Sequence, residues 1–414
     1  MPLVSIGIKM TTTSEDGFEL QQWQQYVNGG SSPVQTHQQK LEPRVRLKFS
    51  HPQNWTWTKK LLEQSSDEWV SRMIAGMFPR DAMVRDVCCG AGGDSVAIGL
   101  RGPVSALDAA MIACVLCESN LQNHHVKDFA VTNRVAESLI VGAEEWVHID
   151  PDRRPSNLSH MSSFGSRTRT TNAQLFMPAL DVVLRLISES CGGSVKVAPA
   201  TLPDVGAFSN CKNGLDILHR MGKQFVSWGN SVRQQRWWWN LPKFPAGSTT
   251  VSTMRSKDDW YHWTFNSPGN ASQENFGRIC DVLPATALFI GDTDSAVRAA
   301  KGQLVLASER QCGILGSEQG YFFTDRVATG QTSTDRLIRW FEIEEVLPLD
   351  RKKIKQYLRA RNVGTLEIKV RDAPVVPEVL RKELNITGEE SRTMLICRCA
   401  KKVVAIIAKR VVAE

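Results

Sequence analysis

The sequence predicts an α/β fold: a mainly parallel sheet with helices on both faces, a helical cap before it and α+β segments after it. Three observations predict this. Short β-prone runs alternate with stretches of helical spacing, the runs being Arg85–Cys88, Val104–Leu107, Phe129–Thr132, Trp146–Ile149 and Ser194–Val197. The first run stops at a glycine cluster and the second ends in a carboxylate, Asp108. At 414 residues, with 42% hydrophobic and 22% charged side chains, the chain has material for a sizeable core divided over two or three domains.

Residues 1–40 are rich in Thr, Ser, Gln and Gly and read as a loosely ordered extension around one amphipathic helix at Phe18–Val27. Residues 41–80 form the helical cap, in which Ser65 or Ser66 is placed to cap a helix starting near Asp67. Met1–Met10 has one lysine and no cleavage site after an apolar core, so it does not read as a signal peptide. No run is long and apolar enough to cross a bilayer, so no membrane association is expected. The ten cysteines are scattered, as expected for reduced thiols in the cytoplasm. Cys114-x-x-Cys117 and Cys397-x-Cys399 lack a partner pair, so no metal site is expected.

Residues 81–245 carry the sheet. After Arg85–Cys88 come Gly90, Gly92 and Gly93, then helical spacing from Asp94, with Asp94 or Ser95 able to accept from first-turn amides. Glycine suits such a turn because a side chain would hold the backbone away from a ligand and because tight turns often need positive φ. Strand, glycine turn, helix, strand, acid is the arrangement of a nucleotide-type cofactor site at the carboxyl ends of parallel strands. The dinucleotide fingerprint G-x-G-x-x-G begun at Gly90 would need glycine at position 95, which is Ser95. Gln224–Trp228 and Gln234–Trp239, around Gly229-Asn230-Ser231, read as a closing hairpin.

Asp86-x-Cys88-x-Gly90-x-Gly92 resembles the acid-x-Gly-x-Gly-x-Gly turn of class I S-adenosylmethionine (AdoMet) methyltransferases, with Cys88 in place of the first glycine. Asp-x-Cys-Cys-Gly-x-Gly-Gly-Asp is similar to the turn of several RNA methyltransferases. From Leu41 to the end, the chain resembles methyltransferases that carry a ferredoxin-like and a carboxyl-terminal THUMP-like domain. The resemblance implies a Rossmann-like seven-stranded methyltransferase sheet, then a linker and ferredoxin-like α+β domain at 246–348 and a THUMP-like α+β domain at 349–414. It also implies AdoMet as cofactor. Gly90, Gly92 and Gly93 would admit its methionine end, within a turn that includes Cys88 and Asp94. Asp86 would help orient the amino group, Asp108 would accept the ribose hydroxyls and Asn133 would bond the adenine amine in place of the more usual Asp.

Ile149-Asp150-Pro151-Asp152-Arg153-Arg154 resembles the Asp-Pro-x-Arg-Arg of the same family, at the mouth of the sheet. There Asp150 would orient or deprotonate the methyl acceptor and Pro151 would stiffen the loop. Arg153 and Arg154 would hold an anionic part of the substrate, or else form ion pairs that close the loop. Glu63 and Gln64 match a Leu-Glu-Gln stretch that could close one side of the cofactor site; ordinary helix-end polar groups are the other reading. Lys196, in an apolar strand, needs an acidic partner, Asp150 or Asp152. Ser156–Thr171 reads as a flap.

Three features remain. Trp237-Trp238-Trp239 can be a base-stacking platform or the core of a final strand. Asp292 and Asp294 can mimic a catalytic acid pair, though a helix-start role is the plainer reading. The basic helix Arg351–Arg361 can touch phosphates or be a solvated face. A net charge of +7 is compatible with RNA without requiring it. The expected activity is AdoMet-dependent methyl transfer, with tRNA or rRNA as substrate. Two alternatives remain open: an inactive methyltransferase-like RNA-binding protein, and a methyltransferase of a small anionic molecule.

Overall fold

A computed structural model describes residues 13–153, 172–266, 278–326 and 335–411. The chain divides into two compact units. The first comprises Met1–Gln224, Gln234–Ser248 and Ser256–Trp260, and the second Phe225–Arg233, Thr249–Arg255 and Tyr261–Glu414.

The first unit opens with four helices, α1 Leu20–Val27, α2 Val34–Val45, α3 Lys59–Gln64 and α4 Glu68–Ala75. The expectation of a loose extension up to residue 40 does not describe residues 13–40. Trp23 and Val34 are fully buried, and Trp23 packs edge-on against Phe18 and His37. The helix expected at Phe18–Val27 is present as α1, whereas the polar sequence hid α2, because a few large rings supply most of the buried area. Nor do Ser65 and Ser66 cap α4. Asp67 stands at the N-cap, Ser65 bonds back to Leu62 O and Ser66 reaches Asp94.

Then strand and helix alternate. β1 Val84–Val87, α5 Gly93–Gly99, β2 Val104–Asp108, α6 Met111–Asn123, β3 Phe129–Asn133 and β4 Trp146–Ile149 lead to α7 Leu180–Glu189 and β5 Gly192–Val197. Two short helices follow, α8 Val205–Ser209 and α9 Gly214–Arg220, and then the hairpin β6 Gly222–Trp228 and β7 Ser231–Trp239. The seven strands run in the order β3-β2-β1-β4-β5-β7-β6. The first five are parallel and β7 pairs antiparallel with β5. The seven expected strands and their hairpin are present, though the hairpin does not close the sheet, which two further strands extend beyond β6.

Every residue of β5 is buried, as is all of β4. Trp237, Trp238 and Trp239 are at most 3% exposed, so they are core side chains and not a stacking platform. Alternation splits them between faces: Trp237 and Trp239 join the cluster around α7, while Trp238 packs on Phe244. Gly222 is required beneath Trp238, since a Cβ there would stand 2.1 Å from the indole.

In the second unit the strand order continues β6-β8-β9, with β8 Thr249–Met254 and β9 Trp260–Phe265. An eight-stranded sheet follows, built from β10 Ile279–Cys280, β11 Phe289–Thr293, β12 Gly313–Leu315, β13 Tyr321–Thr324, β14 Ile338–Pro348, β15 Val363–Arg371, β16 Glu390–Cys399 and β17 Lys402–Arg410. Its order is β10-β12-β13-β11-β14-β17-β16-β15. Helices α10 Ser295–Ala299 and α11 Gln303–Glu309 serve one part, α12 Arg351–Ala360 and α13 Pro377–Leu384 the other. Asp294 caps α10 through Ala296 N, the expected helix-start role. Asp292 does something else: 2% exposed, it lies against Arg371, Lys369 and Arg298. Helix α12 turns Ile354 and Leu358 inward, and Arg351, Lys352, Lys353 and Arg359 stay exposed.

Candidate active site

The site is made by the carboxyl ends of β1, β2 and β4 in the first unit. Their register is fixed on both sides of β1: Asp150 N donates to Val87 O (3.1 Å) and Cys89 N to Leu107 O (3.1 Å). The glycine turn therefore sits directly beside Asp108 on one side and Asp150 on the other. Gly90 N donates to Asp108 Oδ2 at 3.0 Å and Ala110 N to Asp108 Oδ1 at 2.9 Å. Each carboxylate oxygen keeps a further lone pair for a hydroxyl. Burial pushes the Asp108 carboxyl up, and the two backbone N–H groups pull it back.

The turn needs its glycines at identifiable atoms. Gly90 (φ +56°) and Gly92 (φ +82°) are both left-handed, and a Cβ on Gly92 would meet Cys117 Sγ at 2.8 Å and Cys117 Cα at 3.2 Å. Cys88 is left-handed too, at φ +63°. It holds a glycine-type backbone conformation with a side chain attached, at a cost of about 1–2 kcal/mol. That explains why this position takes glycine in the motif that the sequence resembles. Burial, then the nearby charges of Asp108, Asp150 and Asp86, push the Cys88 thiol well up, so it is a poor nucleophile.

Asn133, at the end of β3, spends its amide nitrogen on the backbone. Nδ2 donates to Asp108 O and Ala109 O, both at 3.0 Å. Its Oδ1 has no partner among the described residues and is left as an acceptor, the polarity that an amine donor needs.

Asp86 and Asp94 lie deeper. Asp86 is 1% exposed and accepts from Ser95 Oγ; burial first, offset by His148, pushes its carboxyl up to about 6. Asp94 stands in the first turn of α5 but caps nothing. The helix N-cap is Gly92, and Ser95 donates to Asp86, so the expected side-chain cap is absent. The Asp94 carboxylate instead accepts from Ser71 Oγ, from Ser66 Oγ (3.3 Å) and from His148 Nε2 (3.0 Å). Burial raises it, but the His148 bond and the charges of Lys196 and Arg236 win and hold it well below the ordinary carboxylate range.

This network is the part that sequence reasoning missed. Arg236 Nη2 lies 2.8 Å from His148 Nδ1 and 2.9 Å from Ser194 Oγ. A guanidinium only donates, so Nδ1 is the acceptor and the His148 proton sits on Nε2, facing Asp94. Arg236 is fully buried, and its Nε and Nη1 have no partner among the described residues. The available signal was a histidine inside the otherwise apolar β4 and an arginine directly before three tryptophans in β7.

At the mouth, Lys196 Nζ donates to Asp150 Oδ2 at 2.6 Å and to Ser66 Oγ at 3.2 Å, so Asp150 is the lysine's acidic partner. Pro151 is buried behind it. Asp152 exchanges backbone bonds with Met177 (2.9 and 3.0 Å) and brings Arg153, half-buried, next along the loop. Arg154 and Ser156–Thr171 lie outside the described residues. The cap closes over the turn: Leu61 Cδ2 is the nearest atom to the Gly90 Cβ direction, at 3.7 Å. Buried Asn120 ties the two together, accepting from Thr56 N (2.7 Å) and donating to Thr56 O (3.0 Å) and Ala91 O (2.8 Å). Glu63 pairs with Arg44 at 3.5 Å on the exposed face of α3, and Gln64 follows it at the end of that helix.

Comparison with known proteins agrees with this architecture. A model of the family described as THUMP domain-like matches residues 338–410, which hold β14, β17 and everything between them. An uncharacterized S-adenosylmethionine-dependent methyltransferase of Mycobacterium tuberculosis, found in two strains, is 29% identical over 121 residues. That match covers 29% of this chain and 31% of the relative's length. The crystal structure of a protein provisionally designated a methyltransferase, from Porphyromonas gingivalis W83, superposes with a TM-score of 0.65 at 15% identity, covering 94% of each chain. Residues 338–410 thus match the THUMP domain-like family, and the chain shares the fold of the Porphyromonas gingivalis structure over most of its length.

Proposed function

We propose that this protein is an AdoMet-dependent methyltransferase whose substrate is RNA, a tRNA or an rRNA. The observation that carries the enzymatic reading is the turn at Cys88–Gly93. Its left-handed Gly90 and Gly92 hold a tight bend, with Gly92 packed so closely on Cys117 that no Cβ fits, and Asp108 and the Asn133 Oδ1 acceptor stand at the ends of the next two strands. These residues fit AdoMet: Gly90, Gly92 and Gly93 beside the methionine end, Asp108 at the ribose and Asn133 at the adenine amine. Asp86 and Asp94 act from below, by fixing the turn and the start of α5. Bound there, the cofactor supplies a methyl group already activated by its sulfonium.

The chain's own work is alignment. Asp150, oriented by Lys196, accepts a proton or hydrogen bond from the methyl acceptor, and buried Pro151 keeps that loop from moving. Arg153 and Arg154 hold an anionic part of the substrate. Support for RNA comes from the THUMP-like domain, the exposed cations of α12 and the net charge of +7.

Two measurements test this reading. In calorimetry, AdoMet should bind the wild type, and Asp108→Ala should weaken binding by about 100-fold or more, from two lost hydroxyl–carboxylate bonds of about 1.5 kcal/mol each. Asp108→Asn should fall between them. Absence of AdoMet binding by the wild type removes the enzymatic reading. Labelled methyl should pass from AdoMet to total RNA, with the modified nucleoside then identified. Label appearing only in a small-molecule extract removes RNA as substrate.

A further inference from the structure

The second unit holds a cavity of about 520 Å³ that the methyltransferase site does not use. Its lining carries four arginines, Arg255, Arg336, Arg339 and Arg410, against a single carboxylate, Asp294. They arrive from three separate places in the sequence: the end of β8, the start of β14 and the end of β17. A solvated charge run on one helix face would not converge in this way, and the convergence is produced by the sheet. Strand β14 pairs with β11 on one edge and β17 on the other, which sets Phe341 opposite Arg410.

The cavity is short of negative charge. Asp294 is already committed, accepting from Ser227 Oγ (2.6 Å), Thr253 Oγ1 (3.2 Å) and Ala296 N (2.8 Å). Among the described residues, neither Arg339 nor Arg410 has an ion pair. Arg255 is held through its Nη2 by the carbonyl of Asp335, which leaves the rest of the guanidinium available. Partial burial, then the charges of Arg339 and Arg336, pull Arg255 below the ordinary guanidinium range, with Asp335 and Asp294 opposing. The arginines therefore repel one another across the space, and an anion between them would relieve that repulsion. Leu337, Ile338, Trp340 and Val411 add apolar lining to the charged groups.

We infer that this cavity is a phosphate-binding subsite, which takes a phosphodiester or phosphate end of the polynucleotide. Guanidinium forks match phosphate oxygens two at a time, and Arg255, Arg339 and Arg410 around one concavity suit one or two adjacent phosphates. This inference rests on the RNA reading above, but the two are separable. Phosphate contacts give affinity and register without base specificity. The subsite would therefore anchor the substrate and leave choice of the target to other residues.

The test uses the full chain with Arg339→Gln and Arg410→Gln, singly and together, on side chains that are partly or fully exposed. Fluorescence anisotropy with a labelled RNA hairpin is read from 50 to 300 mM salt. Each lost phosphate contact should lower the slope of log affinity against log salt by about 0.7–0.9. The double variant should lose about 1.5 in slope and at least tenfold in affinity at the lowest salt, with its thermal unfolding midpoint and AdoMet affinity unchanged. Arg339→Lys should recover part of the slope. Inorganic phosphate and a nucleoside monophosphate are titrated in parallel by calorimetry.

If the wild type binds RNA and the double variant keeps the wild-type slope, the inference is overturned while the RNA reading stands. If the wild type binds no RNA but binds phosphate or the nucleotide, and the double variant does not, the RNA reading fails and the phosphate subsite stands. If the wild type binds none of the three, both are overturned.

Discussion

Replacement of Lys196 by methionine probes the join between the buried network and the mouth of the site. Lys196 is 6% exposed and Asp150 26% exposed, with Nζ to Oδ2 at 2.6 Å. At an effective dielectric constant near 20 the gross attraction is about 6 kcal/mol, and desolvation of the ammonium takes back a large part. A net coupling of about 2 kcal/mol is expected. Lys196→Met should cost about 2–4 kcal/mol in total, because Ser66 and Asp94 also lose a cation beside them. Asp150→Asn should cost less, since that side chain reaches water. The assay is urea unfolding of the wild type, both single variants and the double, with the midpoint read at constant m. Non-additivity of about 2 kcal/mol is the signature of the pair. If the two single losses add to within about 0.5 kcal/mol, the contact is incidental and Asp150 is not oriented by Lys196.

Three further outcomes follow from the geometry. Gly92→Ala places a Cβ against Cys117 at a left-handed φ, and should cost about 2–4 kcal/mol and abolish measurable AdoMet binding; a protein of unchanged midpoint and affinity would show that the turn is slack. Asn120→Ala strands the buried Thr56 N–H and frees the cap from the glycine turn, with an expected loss of about 2–4 kcal/mol by thermal or urea unfolding. For Asp86, the folded carboxyl titrates at about 6 and the unfolded one near 3.8, so the folded state binds the extra proton between those values. The Asp86 contribution to stability therefore falls as pH rises through that window, by about 3 kcal/mol in all. Asp86→Asn should flatten the pH 4–6 limb of the unfolding midpoint, and an unchanged limb would place the titration elsewhere. Asp94, held low, has the opposite sign: its contribution is present above about pH 4 and is lost as pH falls below that.

The glycine turn, Asp108 and the strand ends were legible in the sequence because they depend on local rules. A β-run of period two, a left-handed turn and an acid closing the next strand need no distant partner to be recognised. The seven strands fall within three residues of the expected runs, and the hairpin turns at Gly229-Asn230-Ser231 as expected, although the sheet continues beyond it. The same local rules misread α5, where they offered Asp94 and Ser95 as caps. Their side chains were claimed by His148 and Asp86, which the sequence places 54 and 9 residues away.

What only the tertiary structure decided is where charge ends up. Nothing local distinguishes Arg236, sealed under the sheet, from Arg339 and Arg410 around an open cavity. Nor does the sequence alone explain why Cys88 can occupy a position where the backbone favours glycine. Backbone form follows from neighbours along the chain. The state of a buried charge depends on donors brought in from distant strands, and that information exists only once the sheet has closed.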